Sequence, residues 1–278
     1  MEKGRGHMAV RLIALDLDGT ALADHRLLSD RTRSAVLTAL SEGIFVIPST
    51  GRSFMDIPGV VREIDGIPYF LTSNGANILE GKTGKSVYTD LIPWKESGEI
   101  LRMLEAYDVQ PSVHIKGRST NLKSADPRVV ARYGNTDYFA RHSVDNLADF
   151  VMQEKVDVEK IFAILFDRSV KAELTSRITS RYAVTVSASS PDNIELNSPA
   201  ASKGYGLEKL CELLRISPEE TAVIGDSIND ISMFRYAAVR IAMGNADACI
   251  KEMSQHETDT CERDGAAIAI EKLVKGEW

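Results

Sequence analysis

The feature that most constrains the fold of this chain is the alternation of short, continuously apolar runs with stretches of helical periodicity. The runs at residues 10–15 and 44–48 are apolar almost throughout, which is typical of strands buried on both faces of a sheet. Between them, Val36 and Leu40 mark the apolar face of a helix that ends at Gly43. Strand–helix–strand alternation of this kind predicts right-handed crossovers and a parallel α/β sheet.

The same patterns assign the other elements along the chain. We predict further strands at residues 69–72, 160–166, 182–188, 221–225 and 239–242. We predict further helices at residues 54–63, 92–107, 170–181, 203–214, 228–236 and 266–274. The alternation is interrupted after the Asn74-Gly75 turn and resumes near residue 188, which predicts an inserted segment with its own strands and helices. Residues 81–86, GKTGKS, lack the earlier glycine of a phosphate-binding P-loop, so a charged hairpin turn is expected there.

Composition excludes several classes of protein. The 278 residues are 44% hydrophobic and 26% charged, as in ordinary globular proteins, and no apolar stretch approaches a membrane span. The formal net charge of −7 disfavours a nucleic-acid partner, because binding to nucleic acid needs clustered Lys and Arg. The three cysteines contain no Cys-x-x-Cys pair and residues 1–8 lack the apolar core of a signal peptide, so a reducing, cytoplasmic location is expected, with Met8 as a candidate start.

Two carboxylates, Asp16 and Asp18, directly follow the first predicted strand. Side chains alternate along a strand, so these two point the same way and repel each other unless a cation or a shared proton compensates. Carboxylate oxygens are suitable ligands for Mg²⁺. Gly19 then lets the chain turn sharply. The alternative interpretation is a polar strand end followed by a glycine turn.

A second acidic group, Asp226-Ser227-Ile228-Asn229-Asp230, follows the strand predicted at residues 221–225. Asp226 and Asp230 share one face if a helix begins between them. The alternative is an ordinary acidic helix N-terminus, where carboxylates favour the helix dipole.

Two further groups could bind an anion. Thr50-Gly51-Arg52 offers a hydroxyl and backbone N–H groups at a glycine turn, although a plain cap before a helix is the alternative. Lys203 stands at the start of a predicted helix, where a cation opposes the helix dipole unless an anion lies nearby. A solvated surface lysine is the alternative there.

The order of these four groups along the chain resembles that of the haloacid dehalogenase (HAD) superfamily of phosphohydrolases, and more narrowly the Cof-like hydrolases. The resemblance covers nearly the whole chain from Val10. It includes Asn74-Gly75-Ala76, Met243-Gly244-Asn245-Ala246 and Asp264-Gly265, and it departs from the family at Ala266-Ala267, Cys249 and Cys261. It implies a Rossmann-like catalytic core at residues 8–82 and 188–278, with an α/β cap for substrate specificity inserted at residues 83–187.

The resemblance also implies residue roles. Asp16 is the implied nucleophile, which forms an aspartyl-phosphate, and Asp18 is the implied general acid and then base. Mg²⁺ is the implied cofactor, held by Asp16, the backbone carbonyl of Asp18, and Asp226, with Asp230 or Asn229 assisting from the outer shell. The residues implied to bind phosphoryl oxygens are Thr50, Gly51, Lys203 and Asn229, and those implied to contact substrate or support the site are Arg52 and Asn74.

The second aspartate, Asp18, favours hydrolysis of a phosphate monoester, because family members resembling ion-pumping ATPases carry Thr there and dehalogenases lack this Asp. The implied substrates are small sugar phosphates or related metabolites. A phosphomutase or phosphotransferase would share all four groups and stays open, whereas a non-catalytic binding module is disfavoured because no catalytic position is lost. Candidates in the insert to face the substrate are His114, Lys116, Arg118 and Tyr133, although a solvated surface residue is the favoured interpretation for each. The oligomeric state is not predicted.

Overall fold

The computed structural model describes residues 10–124, 126–133 and 142–278. Its strands are β1 Leu12–Asp16, β2 Phe45–Ser49, β3 Tyr69–Thr72, β4 Asn77–Glu80, β5 Ser86–Thr89, β6 Val109–Ile115, β7 Arg118–Leu122, β8 Ser143–Val144, β9 Lys160–Leu165, β10 Thr185–Ser187, β11 Asn193–Asn197, β12 Thr221–Gly225, β13 Val239–Ala242 and β14 His256–Glu257. Its α-helices span Asp30–Ser41, Gly59–Arg62, Trp94–Leu104, Pro127–Tyr133, Leu147–Glu154, Lys171–Thr179, Lys203–Leu214, Ile231–Tyr236, Ala248–Met253 and Gly265–Val274.

The first sheet has the strand order β14-β13-β12-β1-β2-β3-β4-β5. Strands β14 to β3 pair in parallel, and β4 and β5 add an antiparallel hairpin at one edge. Strand β1 shows why its run is apolar throughout. Ile13 and Leu15 pack into one hydrophobic cluster with the helices Asp30–Ser41 and Gly265–Val274, while Leu12 and Ala14 pack into a second cluster with Lys203–Leu214. The predicted parallel α/β sheet, covered on both faces, is confirmed.

The second sheet has the strand order β10-β11-β9-β6-β7-β8 and is antiparallel except for the pairing of β7 with β8. One face is apolar and packs against the helices Trp94–Leu104, Leu147–Glu154 and Lys171–Thr179. The other face is polar near the first sheet, where His114 of β6 pairs in register with Lys160 of β9 and Ser119 of β7. These three side chains contact loops of the first sheet.

The predicted boundaries of the insert, residues 83 and 187, do not coincide with the two sheets. Strand β5 pairs in the first sheet and strand β11 pairs in the second, so sheet membership changes near residues 90 and 198. The charged segment at 81–86 is the turn of the β4–β5 hairpin, as predicted.

The helix predicted at residues 54–63 is interrupted. A 3₁₀ turn, Phe54–Asp56, is followed by extended Ile57, and the helix Gly59–Arg62 begins only after Pro58. Proline disfavours a helical conformation at the residue before it, which explains the break at Ile57. No helix in the described parts of the chain is both long enough and apolar enough to cross a bilayer. Residues 8 and 9 of the predicted core and the side chain of Tyr133 lie outside the described residues.

Candidate active site

Three carboxylates meet at the carboxyl ends of adjacent strands in the first sheet. Asp16 is the last residue of β1, and Asp226 follows β12, which pairs directly with β1. Asp230 ends the 3₁₀ turn Ile228–Asp230. One oxygen from each of the three side chains lies within 4.8 Å of the others. The structure therefore brings together the two acidic groups that are more than 200 residues apart in sequence, as expected for ligands at the open edge of a parallel sheet.

Lys203 lies in the centre of this acidic cluster. It is the first residue of the helix Lys203–Leu214, which Ser202 caps, and it is 1% exposed. Its Nζ donates to Asp16 Oδ1 at 2.5 Å and to Asp230 Oδ1 at 2.6 Å. The alternative of a solvated surface lysine is therefore wrong. Two carboxylates, Asp16 and Asp230, supply the anion expected near a lysine at a helix start.

Asp230 is fixed on both of its oxygens. Its Oδ1 accepts from Lys203, and its Oδ2 accepts from the backbone N–H groups of Asp226 at 3.0 Å and Ser227 at 3.1 Å. It is fully buried. Asp230 thus orders the turn that carries Asp226 as well as contributing charge.

Asp16 has an oxygen without a partner. Its Oδ2 is buried and has no hydrogen bond to any of the described residues. Burial and the negative charge of Asp230 raise the pKa of Asp16 well above its usual value, against the opposing effect of Lys203. Burial and Asp230 likewise raise the pKa of Asp226 to about 6. Three carboxylates around one ammonium leave an excess of negative charge, and the all-oxygen donor set fits a hard divalent cation such as Mg²⁺.

Two residues that support Asp226 were not assigned a role from the sequence. Thr20 donates from Oγ1 to Asp226 Oδ1 at 3.1 Å, and Asn245 donates to the Gly19 carbonyl at 2.8 Å. Gly19 has a φ of +82°, and a side chain there would collide with the Asp226 carboxylate. Thr20 directly follows Asp16–Gly19, and Asn245 lies in the segment 243–246 that resembles the family. The place of each residue in or beside a motif was therefore the sequence signal that could have identified it.

Asp18 is held by an arginine and a histidine. Arg52 donates from Nε to Oδ2 at 2.8 Å and from Nη2 to Oδ1 at 2.6 Å, and His25 Nδ1 lies 2.8 Å from Oδ1. Burial alone would raise the pKa of Asp18, but the hydrogen bonds from Arg52 and His25 outweigh it and hold the pKa well below its usual range. Asp18 raises the pKa of His25 in return. No motif in the sequence pointed to His25, which stands in an irregular loop.

The remaining predicted residues divide between the two sheets. Thr50 is buried directly after β2, and its Oγ1 accepts from the Arg52 N–H at 3.1 Å. Asn74 donates from its backbone to the Thr50 carbonyl at 3.1 Å, but its side chain donates to Glu195 of β11 at 2.8 Å. Asn229 Oδ1 accepts from Ser227 Oγ at 2.8 Å.

Two of the candidates to face a substrate from the insert, Lys116 and Arg118, are exposed. The third, His114, is 5% exposed, and its Nδ1 lies 2.9 Å from Ser73 Oγ in the contact between the sheets. His114 is therefore part of the joint between the two sheets. Burial, followed by the charge of Lys160, lowers the pKa of His114 well below its usual value.

Comparison with known proteins identifies the family. The sequence profile described as haloacid dehalogenase-like hydrolase matches residues 13–270. The chain belongs to the haloacid dehalogenase-like hydrolase family. It is 28% identical over 277 residues to the 5-amino-6-(5-phospho-D-ribitylamino)uracil phosphatase YcsE of Bacillus subtilis (strain 168), covering 99% of this chain and 100% of that protein. It is 30% identical over 288 residues to Phosphatase YwpJ of the same organism, covering 95% and 100%.

Solved structures of the family share the fold. A haloacid dehalogenase-like hydrolase from B. subtilis matches with a TM-score of 0.83 and 28% identity, over 94% of this chain and 99% of that one. TM0651 from Thermotoga maritima matches with a TM-score of 0.79 and 26% identity, over 95% and 97%. The predicted family, α/β fold and enzyme class are confirmed: the protein is a phosphatase of the HAD family.

Proposed function

We propose that this HAD-family phosphatase is Mg²⁺-dependent and hydrolyses small phosphate monoesters through an aspartyl-phosphate on Asp16. The observation that carries the proposal is the buried cluster of Asp16, Asp226, Asp230 and Lys203, in which one oxygen of Asp16 has no partner among the described residues. An ordered carboxylate oxygen without a partner is available to act as a nucleophile, and a cation bound beside it would favour its ionised, reactive form.

The proposed metal ligands are Asp16, Asp226 and the backbone carbonyl of Asp18. Asp230 is not a proposed direct ligand, because its oxygens already accept hydrogen bonds from Lys203 and from two backbone N–H groups. It holds the turn that carries Asp226. When bound, Mg²⁺ supplies positive charge that offsets the charge on the phosphoryl oxygens.

The protein's own groups carry out both proposed steps. In the first, an Asp16 oxygen forms a bond to phosphorus while the bond from phosphorus to the ester oxygen breaks, and Asp18 gives that oxygen a proton. In the second, Asp18 takes a proton from water, which attacks phosphorus and releases Asp16 and inorganic phosphate. Lys203, Thr50, the Gly51 N–H and Asn229 bind the phosphoryl oxygens and position the group.

Arg52 bears on the two roles of Asp18. Its bidentate contact favours the ionised carboxylate, which is the form that the second step needs. The first step needs a protonated Asp18, so we propose that Arg52 shifts away from Asp18 when the ester group enters. Arg52 then becomes available to the substrate.

We propose that residues from about 90 to 198, built on the second sheet, form the cap that selects the substrate. The relatives support a sugar phosphate or related metabolite as the substrate class, and three of them are phosphatases named for 5-amino-6-(5-phospho-D-ribitylamino)uracil. That compound is a phosphate monoester of a ribityl chain, so it belongs in the test panel. The proposed cell compartment is the cytoplasm.

Phosphate release from a panel of monoesters with Mg²⁺ tests the function. The panel contains sugar phosphates, 5-amino-6-(5-phospho-D-ribitylamino)uracil and p-nitrophenyl phosphate, with Asp16→Asn as the inactive control. We expect stoichiometric release of inorganic phosphate from at least one metabolite. Transfer of the phosphoryl group to a second hydroxyl, without release of phosphate, would establish the phosphomutase or phosphotransferase alternative. Activity that Asp16→Asn retains would overturn the proposed nucleophile.

A further inference from the structure

A buried lysine of the second sheet reaches the phosphate-binding turn of the first. Lys160, the first residue of β9, is 4% exposed. Its Nζ donates to the carbonyl oxygen of Gly51 and, at 3.0 Å, to Glu195 Oε2 on the neighbouring strand β11. Gly51 belongs to the Thr50–Arg52 turn that follows β2, beside the strand that carries Asp16.

The other polar groups of this turn are tied within the first sheet. The Thr50 N–H donates to Leu71, and the Thr50 carbonyl accepts from the Asn74 N–H at 3.1 Å. The Arg52 N–H donates to Thr50 Oγ1 at 3.1 Å. For the Gly51 carbonyl, Lys160 is the partner among the described residues. The orientation of the Gly51–Arg52 peptide therefore depends on a side chain of the second sheet.

The hydrogen bond to the Thr50 carbonyl also determines the direction in which the Gly51 N–H points. In a trans peptide the C=O and the following N–H point in opposite directions. Since the Thr50 carbonyl points to Asn74, the Gly51 N–H points the other way, and it has no partner among residues 10–124, 126–133 and 142–278. The next peptide joins Gly51 to Arg52. Because Lys160 holds its carbonyl oxygen on one side, its N–H, which is that of Arg52, points to the other side and donates to Thr50 Oγ1.

The space around Gly51 is correspondingly tight. A Cβ placed on Gly51 would lie 2.9 Å from Asn74 Oδ1 and 3.6 Å from Lys160 Nζ. The pairing of Lys160 with Glu195 is itself buried, with side-chain exposures of 5% and 6%. A buried ion pair is weak evidence for stability, because desolvation offsets the attraction between the charges. The hydrogen bond from Lys160 to the Gly51 carbonyl instead points to a role in shaping the turn.

We propose that Lys160 is a positioning residue for phosphate binding, which holds the Gly51 carbonyl and so keeps the Arg52 N–H on Thr50 Oγ1, leaving the hydrogen of the Thr50 hydroxyl to face the phosphoryl group. The inference deepens the proposed function, on which it rests. It makes the phosphate-binding turn a product of both sheets, because the turn keeps its shape only while the second sheet is docked. Lys160 acts here through Gly51 and not on the ester's leaving group.

Binding of inorganic phosphate tests the proposal without requiring turnover. We would titrate phosphate into the Mg²⁺-loaded full chain by calorimetry, comparing wild type with Lys160→Met and with the double variant Lys160→Met/Glu195→Gln. The double variant avoids leaving a buried carboxylate without its partner. We expect about tenfold weaker phosphate binding in both, the order of effect of one charge-assisted hydrogen bond.

A neighbouring carboxylate gives the matched control. Glu159 lies beside Lys160 and accepts from Ser73 Oγ, Asn77 Nδ2 and the Gly117 N–H, so it ties the sheets together without touching Gly51. We expect Glu159→Gln to lower the melting temperature but to leave phosphate affinity within about twofold of wild type, since none of its hydrogen-bond partners bonds to Gly51 or to Thr50. Equal weakening of phosphate binding by Glu159→Gln and Lys160→Met would reduce Lys160 to a structural contact and overturn the proposal.

Kinetics distinguish positioning from direct contact with substrate. Because the Thr50 hydroxyl that Lys160 positions would meet the phosphoryl group common to all esters, kcat/KM should fall by the same factor for p-nitrophenyl phosphate and for a sugar phosphate. A loss confined to one ester, with unchanged phosphate binding, would mean that Lys160 contacts the leaving group. A wild-type protein that binds phosphate but hydrolyses no ester would refute the proposed function and leave the calorimetric test intact.

Discussion

Lys203 and Lys160 are two buried lysines, each paired with a carboxylate, but their surroundings differ in charge balance. Lys203 lies among three carboxylates, and Asp16 keeps an oxygen without a partner among the described residues. Lys160 pairs with Glu195 and donates its other hydrogen bond to the Gly51 carbonyl. Burial and neighbouring charge raise the pKa of Asp16. Burial would raise the pKa of Glu195 too, but the charge of Lys160 together with side-chain hydrogen bonds outweighs burial and lowers that pKa.

The difference separates two uses of a buried cation. Around Lys203 the negative charge is in excess, so the cluster is suited to take up a metal ion and a reacting phosphoryl group. Around Lys160 the charges are paired, so the cluster is suited to hold a shape. The same residue type thus serves reaction chemistry in one sheet and positioning in the contact between the sheets.

The largest expected effect comes from changing a carboxylate to its amide in each cluster. Asp16→Asn removes the nucleophile, and activity should fall on the order of 10⁴-fold or more, with no phosphoenzyme formed. Glu195→Gln should cost no more than about tenfold, because it touches the turn only indirectly, through Lys160 and Asn74. Steady-state phosphate release and trapping of radiolabelled phosphoenzyme measure both. Comparable losses in the two variants would erase the distinction between the clusters.

Metal removal should affect only the cluster around Lys203. Dialysis against EDTA should abolish phosphate release, and added Mg²⁺ should restore it. Mg²⁺ at 100 times its Kd should also stabilise the folded protein by about 2.7 kcal/mol. We expect that stabilisation to be weakened in Asp226→Asn and retained in Glu195→Gln, as measured by thermal unfolding. Full activity in metal-free protein would contradict the metal dependence.

The two aspartates of the first motif should separate kinetically. Asp18→Asn loses proton transfer, worth roughly 10²–10⁴-fold, but keeps the nucleophile. Nitrophenolate leaves without a proton, so on p-nitrophenyl phosphate this variant should release up to one equivalent of nitrophenol and then stall. Asp16→Asn should show no burst in rapid-mixing absorbance measurements. A burst from Asp16→Asn and none from Asp18→Asn would mean that the two roles are reversed.

The cluster around Lys203 was predictable because its chemistry lies at strand ends. Asp16 and Asp226 follow apolar runs that are recognisable as parallel strands, and parallel strands present their carboxyl ends at one edge. Lys203 begins a helix, where a positive charge is unfavourable unless an anion lies nearby, so its position predicted a carboxylate or phosphate partner. Local pattern and topology, together with the resemblance to the HAD superfamily, led to the prediction that these three residues share one site.

The joint between the sheets was not predictable in this way. Lys160 and Gly51 are 109 residues apart, and their contact depends on how one sheet docks on the other. Lys160 also begins a strand whose pattern is explained by its apolar residues alone. The limits of the second sheet were not predictable for a related reason, because the sheet to which β5 or β11 belongs is decided by the strand with which it pairs.

The smallest expected effect is a difference in acid stability between the clusters. Hydrogen bonds and the charge of Lys160 outweigh burial and lower the pKa of Glu195 below its ordinary value of 4.5. As the pH falls through about 4.5, the unfolded chain takes up a proton at this residue while the folded protein does not. The stability that Glu195 contributes is therefore present above that pH and is lost as the pH falls towards its folded pKa. The slope is at most about 1.4 kcal/mol per pH unit, which corresponds to one proton.

Urea unfolding at a series of pH values between about 5 and 3, with Mg²⁺ present, measures that slope. The double variant Lys160→Met/Glu195→Gln has no titrating group at this position, so its free energy of unfolding should fall less steeply than that of wild type in this range. Carboxylates other than Glu159, whose pKa the charge of Lys160 also acts on, titrate alike in both proteins and cancel in the difference. Parallel curves would show that Glu195 is not stabilised in its ionised form, and the charge balance assigned to the Lys160 cluster would then be wrong.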